Sequence, residues 1–138
     1  GDDDGVLAIK PMQTFLDRFS DAVSSASKRD PAKLRVAIVG GGVAGVEIAL
    51  ALPGWFRTHH RTSPFEIVLL DGNTQLARGM TTAAARMAQQ ELSRQAVQVE
   101  LGDPVKSLGD HRVVLASGRT LDFDLAILAT SAAPPLDI

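Results

Sequence analysis

The chain contains no cysteine. Disulfide frameworks, thiolate metal sites and dithiol redox chemistry are therefore excluded within its 138 residues. Nor does either sign of charge dominate. Fourteen Lys and Arg face sixteen Asp and Glu, a net charge of −2, and no basic block exceeds Lys28-Arg29. A nucleic-acid partner has no electrostatic footprint here. Apolar runs are also short, none approaching the ~18 residues of a membrane span, and the acidic opening "GDDDGVLAIKP" does not read as a signal peptide. These absences suit a cytoplasmic protein in a reducing compartment. The chain begins with Gly1 rather than Met, which reads as a piece of a longer polypeptide or a tag remnant.

What remains is an ordinary globular composition, 45% apolar and 22% charged, at about the length of one domain with a real core. "VLAIK" reads as a short extended piece. Pro11 suits the first turn of a helix that continues with Phe15, Leu16, Phe19 and Val23 at helical spacing. Ser24 to Lys33 reads as a polar linker broken at Asp30-Pro31. Residues 1–33 are thus expected to form a connector, and residues 34–138 the domain proper. Leu34 to Val39 and Phe65 to Asp71 are near-continuous apolar strands, the pattern of strands covered on both faces. Val43 to Leu52 is a helix that Pro53-Gly54 should stop, leaving Trp55 to Pro64 irregular. Thr81 to Gln95 is a second such helix, with Met80 and Met87 as core filling. Val97 to Leu101 is a third strand. Short strand-like pieces follow, divided at Gly109-Asp110 and Ser117-Gly118, and Leu125 to Ser131 closes the core. The alternation predicts an α/β, Rossmann-like three-layer domain: a central parallel sheet plus a small antiparallel meander.

Between the first of these strands and its helix stand Gly40, Gly42 and Gly45, a G-x-G-x-x-G in the context that gives the pattern weight. The first glycine permits the tight turn, the second a close approach of pyrophosphate to backbone, the third close helix–strand packing. Val43 and Ala44 open the helix whose free amides and dipole would face the phosphates. Asp71, 26 positions after Gly45 and at the end of the next strand, stands where an acid reads the adenosine ribose. The fold expects it about 20 residues on, and the Trp55–Pro64 stretch absorbs the excess. A carboxylate there favours two free hydroxyls over a 2′-phosphate, whereas Arg78 in the following loop argues the other way. Gly72 and Asn73 either shape an adenine pocket or turn the chain. Glu47, early in the phosphate helix, equally fits simple dipole stabilisation. His59 and His60 lack a nearby carboxylate pair, so no metal site is expected. No G-x-S-x-G elbow is present, and Val43 and Ala44 stand where a nucleophile would be, so no catalytic acid, base or nucleophile is assigned.

The stretch "VAIVGGGVAGVEIALAL", the meander and the closing "LAILATSAAPP" resemble the NAD(P)H-binding domain of two-dinucleotide flavoproteins. These are the pyridine nucleotide-disulfide oxidoreductases and type II NADH dehydrogenases. The leading "IKPMQTFLDRF" is similar to the connector leaving the flavin domain, and with the glycine motif to the oxidoreductase module fused to selenide, water dikinase. The resemblance implies that Gly40, Gly42 and Gly45 hold the pyrophosphate of NAD(H) and Asp71 the ribose. It places Glu47 and Thr130 toward the nicotinamide. It implies hydride transfer to the FAD of a partner domain in the same parent chain, membrane-peripheral in some such parents, with this piece inactive alone. The family's A-T-G reads Ala129-Thr130-Ser131 here, putting a side chain where backbone packs closely. Two other readings stay open: an FAD-binding domain, and a non-catalytic regulatory or interaction module of the same fold.

Overall fold

The computed structural model describes residues 5–29, 32–60 and 63–129. Five parallel strands form the central sheet: β1 (Val6–Ala8), β2 (Leu34–Val39), β3 (Phe65–Asp71), β4 (Gln98–Leu101) and β8 (Leu125–Leu128). Their order is β1-β8-β2-β3-β4. Helices α1 (Met12–Ser27), α2 (Val43–His59) and α3 (Thr82–Arg94) connect β1 to β2, β2 to β3 and β3 to β4. All three connections step the same way along the sheet. Right-handed crossovers then put all three helices on one face. The chain returns from β4 to β8 through β5 (Val105–Gly109), β6 (Arg112–Leu115) and β7 (Thr120–Asp122), an antiparallel meander.

The alternation of side chains along each strand divides the core in two. Val36, Ile38, Ile67, Leu69, Leu125 and Ile127 face the helices and pack with Phe19, Val46, Leu52 and Leu92. Ala37, Val39, Leu70 and Ala126 face the meander and pack with Leu108, Val113, Leu115 and Phe123. Helices, parallel sheet and meander make three layers, as the strand–helix alternation implies. The β5–β6 hairpin turns at Asp110 and His111, both in the left-handed region (φ 56° and 59°), the two-residue turn that matches strand twist.

Several local expectations are corrected. α2 does not stop at Pro53-Gly54 but continues to His59 with Pro53 inside it. An interior proline costs a helix about 3 kcal/mol, yet the following turn carries Phe56, fully buried. Its ring stacks on Phe65 at 4.8 Å and meets Phe19 edge-on at 5.9 Å. Burying one Phe contributes about 1.5–3 kcal/mol and each aromatic pair about 0.5–1.5 more, enough to carry the helix past the proline. Trp55 packs edge-on to Phe19, and His59 stacks on the indole at 4.8 Å, so residues 55–59 are helical rather than irregular and Trp55 is half-buried.

Likewise α1 runs through Ser24 and Ser25 to Ser27, because Phe15, Phe19, Val23 and Ala26 form one buried stripe. Leu16 points away, 58% exposed, and Pro11 is the extended N-cap rather than a first-turn residue. Met87, expected in the core, is 70% exposed, whereas Met80 packs partly against the helical core. β1 is the sheet's edge strand beside β8. Arg18 ties α1 to it by donating to the carbonyls of Ala8 (2.7 Å), Ile9 (3.1 Å) and Pro11 (3.0 Å). Asp30-Pro31, Thr130 and Ser131 lie outside the described residues.

Candidate functional site

The carboxyl ends of the sheet strands converge on one edge, where this class of sheet binds ligands. Gly40 donates its amide to Leu70 O at 2.8 Å, Ala129 to Val39 O at 2.9 Å, and Gly102 to Asp71 O at 2.9 Å. The three glycines of the turn at this edge are glycines for three separable reasons. Gly40 has φ +121°, a conformation side chains resist. Gly45 lies so close beneath the turn that a Cβ would stand 1.7 Å from Gly40 O and 3.3 Å from the Ala129 Cβ. No side chain fits there. Gly42 differs from both: its φ is −74°, and among the described residues a Cβ would meet no atom within 4 Å beyond its own chain neighbours.

Gly42 is also the N-cap of α2, without a side-chain cap, and the first turn carries no acid. The leading amides of Val43 and Ala44 therefore face open space with the positive end of the helix dipole. Nothing among the described residues demands glycine at 42, and the space a side chain would take is open. The turn is a cradle that fits a pyrophosphate. Glu47 lies one turn further along α2, exposed, and Gly72 is placed under Pro104, whose Cβ and Cγ would be 2.9 Å from an added Cβ.

Beside the cradle sits Asp71, the last residue of β3 and 8% exposed. Its Oδ2 accepts the Gly41 amide at 2.8 Å and Arg78 Nη1 at 3.1 Å. Its Oδ1 accepts the Asn73 amide and Asn73 Nδ2, both at 3.2 Å. Burial by itself pushes this carboxyl up. The hydrogen bonds from Asn73, Gly41 and Arg78 together outweigh burial and hold it below its ordinary 3.8. The loop 72–80 folds back over the turn: Ala77 donates to Gly41 O at 2.6 Å, and a Cβ at Gly79 would lie 3.8 Å from Val43 Cγ2.

The structure thus brings Gly40, Gly42, Gly45, Val43, Ala44 and Asp71 to one place. Three participants were not assigned there from the sequence. Gly41 anchors the carboxylate, and a Cβ on it would stand 2.8 Å from Asp71 Oδ2. Asn73, read from the sequence as shaping an adenine pocket or turning the chain, closes an Asx-type turn on Asp71. Arg78, weighed only as an argument against an unphosphorylated ribose, is an ion-pair partner of Asp71. Its seven-residue separation carries no periodic signal, because a loop of positive-φ residues brings it back.

Known structures share this architecture. NDH2 from Plasmodium falciparum in complex with NADH superposes with a TM-score of 0.75 at 18% identity, over 96% of this chain and 31% of that one. Reduced Bacillus anthracis CoADR-RHD gives 0.70 at 20% identity, over 92% and 21%. The sulfide:quinone oxidoreductase of Aquifex aeolicus gives 0.67 at 12%, over 91% and 31%. The chain therefore spans between a fifth and a third of the length of these relatives. No curated protein matches it. None of these likenesses bears on the module fused to selenide, water dikinase. The family model described as pyridine nucleotide-disulphide oxidoreductase matches residues 4–137.

Proposed function

The chain belongs to the pyridine nucleotide-disulphide oxidoreductase family, and on that premise we propose that it is the NADH-binding part of an FAD-dependent oxidoreductase. The observation that carries the reading is Gly42: a glycine with an ordinary φ and open space before it, capping a helix whose first amides are free. A pyrophosphate on those amides would supply what the protein itself does not. In this proposal residues 34–138 hold the nucleotide, and residues 1–33, whose β1 and α1 join the same sheet and core, lead in from a flavin-binding partner in the same parent chain. The nicotinamide and flavin supply the hydride chemistry when bound, from C4 to N5.

This chain's own contribution is orientation and electrostatics. Gly40 and Gly45 fix the turn, the amides of Val43 and Ala44 bind the diphosphate, and Asp71 with Gly41 holds the turn against the loop that borders the adenosine. Glu47 lies toward the nicotinamide in this reading. No helix among the described residues is long and apolar enough to cross a membrane, and a cytoplasmic setting goes with the proposal.

Titration of the purified protein with NADH, followed by nicotinamide fluorescence, tests it. Saturable binding is expected, with no flavin absorbance in the protein as purified. Gly42→Val, whose Cβ meets none of the described residues within 4 Å beyond its chain neighbours, is expected to abolish binding. Undiminished binding by that variant would sink the assignment, and a bound flavin would transfer the turn to FAD.

A further inference from the structure

A cavity of about 270 Å³ lies at the opposite end of the sheet from the glycine turn, between α1 and the amino ends of β1 and β8. Leu7, Ala22 and Leu125 give it apolar walls, and Arg18, Asp21, Ser25 and Arg29 line it from α1. Positions 18, 21, 22, 25 and 29 recur at helical spacing. They form a second stripe beside the buried one of Phe15, Phe19, Val23 and Ala26. Ligand pockets commonly span about 300–1,000 Å³, so this space is too small for a second dinucleotide and suits one compact molecule.

Four charged side chains line the cavity, and two of them are already satisfied. Arg18 donates to the carbonyls of Ala8, Ile9 and Pro11 and to Thr14 Oγ1. Asp124, 9% exposed, accepts the Arg35 amide at 2.7 Å and lies 3.7 Å from Arg35 Nε. Asp21 and Arg29 differ. Neither side chain, nor the Ser25 hydroxyl, bonds another described residue. The helix offers them no partner either: Arg18, three residues before Asp21, is turned onto β1, and Ser25 and Ala26 stand where an acid would pair with Arg29.

We propose that this cavity binds a small zwitterion with an apolar body, the chemistry of an apolar α-amino acid. Helix side chains lean toward the N-terminus, so Arg29 covers the turn that holds Ser25. About 6 Å of helix axis separates that turn from Asp21, an interval that one ammonium and one carboxylate of the same small molecule can bridge. Arg29 and Ser25 take the carboxylate, with the guanidinium fork giving charge-assisted bonds. Asp21 takes the ammonium, and the apolar body lies against Leu7, Ala22 and Leu125. A ligand with a single charge leaves the opposite side chain uncompensated. The inference does not depend on the nucleotide reading of the glycine turn.

Three probes of one shape test it on the full chain: L-phenylalanine, 3-phenylpropionate, which lacks the ammonium, and 2-phenylethylamine, which lacks the carboxylate. Each is titrated into the isotope-labelled protein while amide chemical shifts are followed by NMR. L-phenylalanine is expected to shift the amides of Leu7, Asp21 to Arg29 and Leu125 along one saturation curve, with a Kd on the order of 1 mM or tighter. Each single-charge probe is expected to bind about tenfold more weakly. Arg29→Gln and Asp21→Asn are each expected to weaken L-phenylalanine about tenfold. Ala22→Leu, which fills the cavity, is expected to abolish binding, with circular dichroism confirming that the variants fold. The ligand series needs no variant and stands by itself. Equal binding of the three probes, shifts confined to other residues, or no saturable shift overturns the proposal. So does undiminished L-phenylalanine binding by any of the three variants.

Discussion

At the scale of single residues, the glycine turn separates what folding needs from what binding needs. Gly45 answers to packing, since its missing Cβ leaves room for the Gly40 carbonyl. Gly45→Ala is expected to destabilise the protein by about 1–3 kcal/mol as an overpacked site, read as a lower denaturant midpoint. Gly42→Ser is expected to do the opposite. Serine caps a helix better than glycine by a few tenths of a kcal/mol, so the midpoint should rise slightly while NADH binding weakens. A fall in stability with binding intact would assign Gly42 a structural role. Asp71 adds a pH dependence. Its carboxyl is held below its ordinary 3.8 by bonds that need the ionised form. Its contribution is complete above that value and is lost as pH falls below it, through the lowered folded value. Asp71→Asn is expected to cost about 2 kcal/mol at neutral pH and to flatten this acid limb of the stability profile. The identities of Gly40, Gly42, Gly45 and Asp71 were legible because each stands at a fixed offset from a strand end. The partners of Asp71 were not, since Arg78 reaches it only through a loop whose path depends on the buried Leu76 and Ala77.

At the scale of elements, the strands were easier to read than the helices. β2, β3 and β8 are near-continuously apolar because both faces are covered, and that signal is local. Where a helix ends depends on what its last turn touches, and that is not local. Pro53-Gly54 is a strong stop signal, overridden by Phe56 against Phe19 and Phe65. Ser24-Ser25 looks like a linker until Ala26 is seen to complete a buried stripe. The account makes the extended end of α2 a consequence of Phe56. Phe56→Ala is accordingly expected to cost about 3–5 kcal/mol and to expose the amides of residues 54–59 to faster hydrogen exchange. Global destabilisation with unchanged local protection in that turn would show that the proline-containing helix stands without its aromatic anchor.

At the scale of the whole molecule, one chain direction explains the layers. Three crossovers step one way and stack helices on one face; the meander steps back and covers the other. That arrangement leaves the carboxyl ends of the strands and the α2 amides at a common edge, with no catalytic acid, base or nucleophile assigned among them. On the proposed reading, the 138-residue chain is expected to bind NADH and, with no flavin bound, not to oxidise it. NADH absorbance should stay constant in the presence of a soluble electron acceptor. Amide chemical-shift mapping by NMR tests whether the glycine turn and the Asp71 loop form one nucleotide site. NADH is expected to shift the amides of Gly40 to Gly45 and Gly72 to Arg78 together, along a single saturation curve. Saturable NADH binding that leaves both segments unmoved, or that shifts residues elsewhere in their place, would contradict the single site.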